Sequence, residues 1–152
     1  MSDHEARDAL IAAARDAAAR AYAPYSGFQV GAALLLDNGD VVTGANVENA
    51  SYGLTLCAET AAIAKIANEG WLDRLSAVAI IGGRAEGDAL LGSDPVHPCG
   101  RCRQILNEAA ERSKKDIAVH CASADGRTVK SYRLSELLPA AFGPKDLGLI
   151  AD

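Results

Sequence analysis

The sequence has no apolar run near the roughly 20 residues that a membrane-crossing helix requires, which excludes a helical membrane span. It also lacks an excess of positive charge. Lysine and arginine number 15 against 20 aspartates and glutamates, for a formal charge of -5 and a pI near 5.2. A nucleic-acid backbone calls for a net basic face, so this balance argues against nucleic acid as the main ligand and towards a small molecule. No repeat, linker or low-complexity stretch divides the chain, and 152 residues fit one domain, 1–152. No secretory leader is expected, because Met1 to Arg20 is an alanine-rich pattern broken by Arg7, Asp8, Arg15 and Asp16. With four cysteines and no leader, the expectation is reduced thiols available to metal or catalysis in a cytoplasmic protein, not a disulfide framework.

What is present is enough apolar material, 49% of residues, to bury a sizeable core. Helical spacing of Leu10, Ile11, Ala14, Ala17, Ala18 and Ala21 predicts a helix over 3–23, capped by Ser2 or Asp3 and ended by Pro24. Phe28 to Leu36 and Asp40 to Val47 flank Asp37-Asn38-Gly39 and predict an antiparallel hairpin whose Asn-Gly step supplies positive backbone angles. Helical period returns from Cys57 to Asn68, with Gly70 as a stop signal, and Ser76 to Ile81 reads as a short buried strand. Gly82 to Pro98 reads as a loop, and Cys99 to Arg112 as a helix. Strands over Ile117 to Ala122 and Thr128 to Tyr132 follow, then a helical turn over Ser135 to Leu138 before Pro139. Strands interleaved with helices predict a three-layer α/β/α sandwich around a mixed five-stranded sheet.

The chemistry is concentrated in the cysteines. Cys99 and Cys102 stand three apart at a predicted helix start, so both sulfurs project to one side, half of a tetrahedral zinc site. Cys57 begins the other core helix. The free N–H groups of two helix starts favour thiolates, and three thiolates leave a fourth zinc position open to water. Glu59, two residues beyond Cys57, is placed to act there as a base. Other readings stand beside this one. Cys99 and Cys102 alone suffice for a thioredoxin-like redox pair, and Cys121 would complete a four-cysteine structural site. The usual burial of cysteine favours Cys121 as a strand core residue, and His97 is a weaker ligand candidate because the cysteines already supply three. Glu59 by itself would be an ordinary acid at a helix N-terminus.

Cys57-Ala58-Glu59 and Pro98-Cys99-Gly100-Arg101-Cys102-Arg103-Gln104 resemble the cytidine/deoxycytidine deaminase family. Further segments fall in family order: Pro24 to Phe28, Val30 to Ala33, Gly44 to Ala50 and Leu137 to Phe142, so the likeness spans nearly the whole chain. The resemblance implies zinc held by Cys57, Cys99 and Cys102, with Glu59 as the catalytic proton carrier. It implies Asn46 and Glu48 on the ribose hydroxyls, the Ala58 N–H on the pyrimidine carbonyl, and Phe28 packed on the nucleoside. Tyr52 and Phe142 would reach the pockets of neighbouring subunits in a homotetramer. Without the resemblance, Asn46 reads as a turn former, Phe28 as strand core and Glu48 as a solvated charge. The family often has arginine directly after the glutamate, where this chain has Thr60, so Arg103 and the two helix starts are expected to carry more of the charge compensation.

The implied reaction is hydrolytic deamination of cytidine or deoxycytidine, with release of ammonia, in pyrimidine salvage. Three rivals remain. One is deamination of a nucleoside-like antibiotic such as blasticidin S, which shares the cysteine motifs but is disfavoured by Asn46 and Glu48. The second is a nucleoside- or RNA-associated protein with a purely structural zinc. The third is a redox Cys-x-x-Cys protein.

Overall fold

A reciprocal cap starts the first helix. The Ser2 hydroxyl accepts from the Glu5 N–H at 3.2 Å, and the Glu5 carboxylate accepts from the Ser2 N–H at 2.7 Å. In the computed structural model, which describes residues 1–151, helix α1 runs over Asp3–Ala18 and buries Leu10, Ile11, Ala14, Ala17 and Ala18. It stops well before Pro24. Tyr22 is instead drawn into a bridge with Val47, its N–H donating to the Asn46 carbonyl at 3.0 Å and its carbonyl accepting from the Glu48 N–H at 2.8 Å.

Strands β1 (Phe28–Leu36) and β2 (Val41–Ala45) form the expected antiparallel hairpin. Its turn uses one left-handed residue, not two. Gly39 has φ 92° and donates to the Leu36 carbonyl at 3.0 Å, the pattern of an ordinary tight turn closed by a glycine. Helix α2 (Ala58–Asn68) follows, then β3 (Leu75–Glu86), β4 (Ala89–Leu91), α3 (Gly100–Ser113), β5 (Ala118–Ser123), β6 (Val129–Arg133) and the single turn α4 (Leu134–Leu137). The sheet is mixed, in the order β2-β1-β3-β5-β6, with β3 and β5 parallel and the other pairs antiparallel. These five strands are the ones expected from the sequence. A sixth was not expected. The stretch from Gly82 reads as loop, yet β1 pairs with β3 as far as Phe28 opposite Arg84, and β3 then turns at Gly87 to pair with β4. Ladder bonds to β1 override local residues that by themselves favour a loop.

Alternation along the strands builds two cores and three layers. Ala33, Ala77, Ala79, Ile81 and Ala122 face α1, while Leu34, Leu36, Val78, Ile80, Val119 and Cys121 face α2 and α3. Full burial of Ile66, Ile80 and Leu106 is worth about 1.5–3 kcal/mol for each side chain relative to exposure. The small residues on the α1 face let that helix lie close. On the other face, Gly44 of β2 performs the same service for α2: a Cβ there would stand 2.6 Å from both the Ala58 carbonyl oxygen and the Ala62 nitrogen. Gly44 thus sets how near the start of α2 approaches the sheet.

Candidate metal centre and active site

Two helix starts meet at one point. Cys57 is the N-cap of α2 (φ −72°, ψ 157°) and Cys99 the N-cap of α3 (φ −65°, ψ 167°), both extended, as a cap requires. Cys102 lies one turn into α3. Its N–H donates to the Cys99 sulfur at 3.5 Å, so the cap thiol takes one of the donors that a helix start leaves free. The three Sγ atoms all lie within 4.8 Å of one another, and Cys57 and Cys99 are 3.8 Å apart at sulfur. A tetrahedral zinc with Zn–S bonds of about 2.3 Å has an S–S edge of about 3.8 Å. The donor set and its spacing therefore fit zinc, and three thiolates leave a fourth position free. A redox pair would need two of these sulfurs, and the third brings them into a metal-binding set.

Hydrogen bonding between thiols and burial together set the electrostatics. Cys57 is half-buried, and hydrogen bonding from the Cys102 thiol, aided by Cys99 and the Arg101 charge and opposed by burial, lowers its pKa to about 6. Cys102 is fully buried, and both that interaction and burial push its thiol up. Cys121 lies among the aliphatic residues of the core, outside the metal-binding group, and burial raises its thiol to about 12. Arg103, expected to share in the charge compensation, is anchored on backbone carbonyls. Its Nε donates to the Pro98 carbonyl and its Nη1 to the Leu137 carbonyl, both at 2.9 Å, which fixes the entry to α3. Arg101 is the arginine whose charge acts on Cys57.

A cavity of about 190 Å³ opens beside the sulfurs, and Asn46, Glu48, Cys57, Ala58, Glu59 and Cys99 all line it. Glu59, the second residue of α2, is 4% exposed. Burial raises its carboxyl pKa, with the Cys57 charge adding to the effect and a hydrogen bond from its own N–H opposing it. Ala58 is buried, and its N–H, at the start of α2, has no partner among the described residues. Asn46 and Glu48 are engaged by the chain itself. Asn46 accepts from the Val30 N–H and donates to the Phe28 carbonyl, both at 2.9 Å. Glu48 is 8% exposed and not a solvated charge: it accepts from the Tyr25 N–H at 2.8 Å and from the Ser26 N–H and hydroxyl. The Ser26 hydroxyl is the main reason its carboxyl stays below the usual range.

Three expected substrate-binding residues stand outside that lining. Phe28 is 41% exposed at the start of β1, Tyr52 is 73% exposed with its ring edge-on to Tyr25 at 5.7 Å, and Phe142 is 61% exposed. The Phe142 carbonyl is held by Gln104 at 2.7 Å. His97 lines the cavity although it is not in the metal-binding group, and its Nε2 lies 2.9 Å from the Tyr132 hydroxyl. Sequence reasoning missed Ser26 and Tyr132 because their partners are 22 and 35 residues away, a separation that no local pattern reports. A larger cavity of about 590 Å³ beside Glu111, Lys114 and Ser135 has no thiol or imidazole in its lining. Of its charged groups, Asp116 bonds Ser135, Glu111 bonds Asn107 and Lys115 bonds Ser76.

Residues 4–119 match the family model described as the cytidine and deoxycytidylate deaminase zinc-binding region. The chain is 44% identical to the cytidine deaminase of Halalkalibacterium halodurans over 141 residues, 93% of this chain and 97% of that protein. It is 47% identical to the cytidine deaminase of Mycobacterium tuberculosis over 134 residues, 88% of this chain and 87% of that protein. The crystal structure of cytidine deaminase from Burkholderia pseudomallei superposes with a TM-score of 0.75 at 40% identity, covering 93% of this chain and all of that one.

Proposed function

Because the chain belongs to the cytidine and deoxycytidylate deaminase family, we propose that it hydrolyses cytidine and deoxycytidine to uridine and deoxyuridine with release of ammonia. The observation that carries this reading is the gathering of three sulfurs, two of which line one cavity together with the buried Glu59. Cys57, Cys99 and Cys102 hold the metal as thiolates. Zinc, when bound, supplies Lewis acidity that makes water a competent nucleophile at neutral pH.

Glu59 does the proton work. Its carboxylate removes a proton from the attacking water and delivers it to the ring nitrogen next to the amino-bearing carbon. It then takes the proton of the newly added hydroxyl as the carbonyl forms and gives it to the departing amino group, so that water is added, ammonia leaves and the carboxylate is regenerated. Burial supports this role, since it raises the carboxyl pKa towards the range where a group both takes up and gives back a proton. The free Ala58 N–H binds the pyrimidine carbonyl oxygen, Asn46 and Glu48 bind ribose hydroxyls, and Phe28 packs on the nucleoside.

The whole chain, 1–152, acts as one domain of a homotetramer, in the cytoplasm and in pyrimidine salvage. Tyr52 and Phe142 of neighbouring subunits complete each pocket. Their exposure supports this, as does a one-chain cavity of about 190 Å³, smaller than the roughly 300–1,000 Å³ usual for enclosed ligand sites. Ammonia release from cytidine, deoxycytidine, adenosine, guanine and blasticidin S, with metal content measured on the same sample, tests the reading. Release from the two cytosine nucleosides by zinc-loaded protein is expected; zinc-loaded protein inert towards all five would leave a structural metal and no enzyme.

A further inference from the structure

Thr60 has no role in the mechanism above, yet its hydroxyl lies 3.5 Å from the Cys102 sulfur. Thr60 is the third residue of α2 and Cys102 the third residue of α3, so this contact repeats, one turn in, the meeting of the two caps. A threonine inside a helix ordinarily donates to the carbonyl three or four residues back. Here those carbonyls belong to Cys57 and Leu56. The first accepts from the Ala61 N–H at 3.0 Å and the second from the Val47 N–H at 2.9 Å. Among the described residues the Thr60 hydroxyl bonds neither carbonyl; its partner is the sulfur.

The three sulfurs are unequally provided for. Cys99 is exposed and accepts from the Cys102 N–H, and Cys57 is partly open to water. Cys102 is 0% exposed. Among the described residues, Thr60 supplies the one O–H or N–H group that hydrogen-bonds to this sulfur. A thiolate accepts and cannot donate, so once Cys102 is a metal ligand the direction is fixed, from Thr60 Oγ1 to Cys102 Sγ. A buried anion without such a partner bears its desolvation uncompensated, and outer partners of metal ligands typically change metal affinity by about 10- to 100-fold.

We infer that Thr60 is a positioning residue of the metal centre, its hydroxyl donating to the Cys102 thiolate so that the one sulfur cut off from water can serve as a zinc ligand. The inference rests on the proposed zinc site. Zinc affinity, measured by competition with a chromophoric chelator, and the sulfur-to-metal charge-transfer band of the cobalt-substituted protein read it out without any assay of turnover. Thr60→Val keeps the shape and removes the donor, and is expected to weaken zinc about 10- to 100-fold and move the cobalt band. Thr60→Ser is expected to restore both. Thr60→Ala offers the same loss without added bulk should the valine variant fold poorly. A valine or alanine variant with parental affinity and band overturns the inference and leaves the zinc site standing, as does a serine variant no better than valine. A parent protein that binds no zinc overturns both.

Discussion

Cys57 and Cys99 cap two different helices and hold their sulfurs 3.8 Å apart. A cap position gives each residue an extended backbone and aims its side chain back over the helix start, where free N–H groups favour negative charge. Metal binding and helix termination are therefore one piece of local structure, used twice.

The two roles separate in Cys57→Ser. Serine is a good cap and a poor zinc ligand, and Cys57 makes no side-chain cap bond of its own. The metal-free variant should be as stable as the metal-free parent, or up to about 1 kcal/mol more so, while zinc is lost. A chelator should lower the melting temperature of the parent and leave that of the variant unchanged. Stoichiometric zinc in the purified variant would contradict the assignment.

Gly44→Ala tests what positions α2. The added carbon would press on the backbone at Ala58 and Ala62, atoms that move only with the helix. A loss of about 1–3 kcal/mol is expected from such overpacking. Turnover should fall as well, because Cys57 and Glu59 ride on the displaced helix start. Gly53→Ala, where a Cβ meets nothing within 4 Å, is the control and should change neither quantity. Equal melting temperatures and activities for both variants would show that α2 has slack against β2.

Acid stability should depend on Glu48. Its carboxyl is held below the usual range by the Ser26 hydroxyl, so its contribution is fully present above the unfolded-state pKa of about 4.3 and is lost as pH falls through the lower folded-state value. In denaturant titrations, the parent should exceed Glu48→Gln at pH 6 by an amount that shrinks steadily below pH about 4. A difference that is constant with pH would mean that the loop at Tyr25 and Ser26 holds the protonated carboxyl as well as the carboxylate.

Much of this was legible in the chain, and what was not shares a cause. Period and punctuation report local structure: the helices beginning at Cys57 and Cys99, the hairpin around Gly39 and the five strands of the main sheet path all follow from neighbours in sequence. The gathering of three cysteines as a set that fits zinc was equally plain. The misreadings involve partners distant in sequence. Helix α1 stops early because Tyr22 pairs with Val47, and the stretch after Gly82 is strand because Phe28 and Gln29 lie beside it. Arg103 bonds the Pro98 and Leu137 carbonyls, the second 34 residues away and outside any local pattern. Glu48, a solvated charge when read without the resemblance, is held by Ser26, 22 residues earlier.

Glu59→Gln bears on all of this at once, since it keeps the size of the buried side chain and removes its capacity to carry a proton. The variant should retain zinc in the same stoichiometry as the parent, keep the parental fold, and release ammonia from cytidine about 10²- to 10⁴-fold more slowly. A zinc-loaded variant that turns over cytidine at the parental rate would show that the protons travel by another route and that the carboxyl beside the three sulfurs is not the catalytic group.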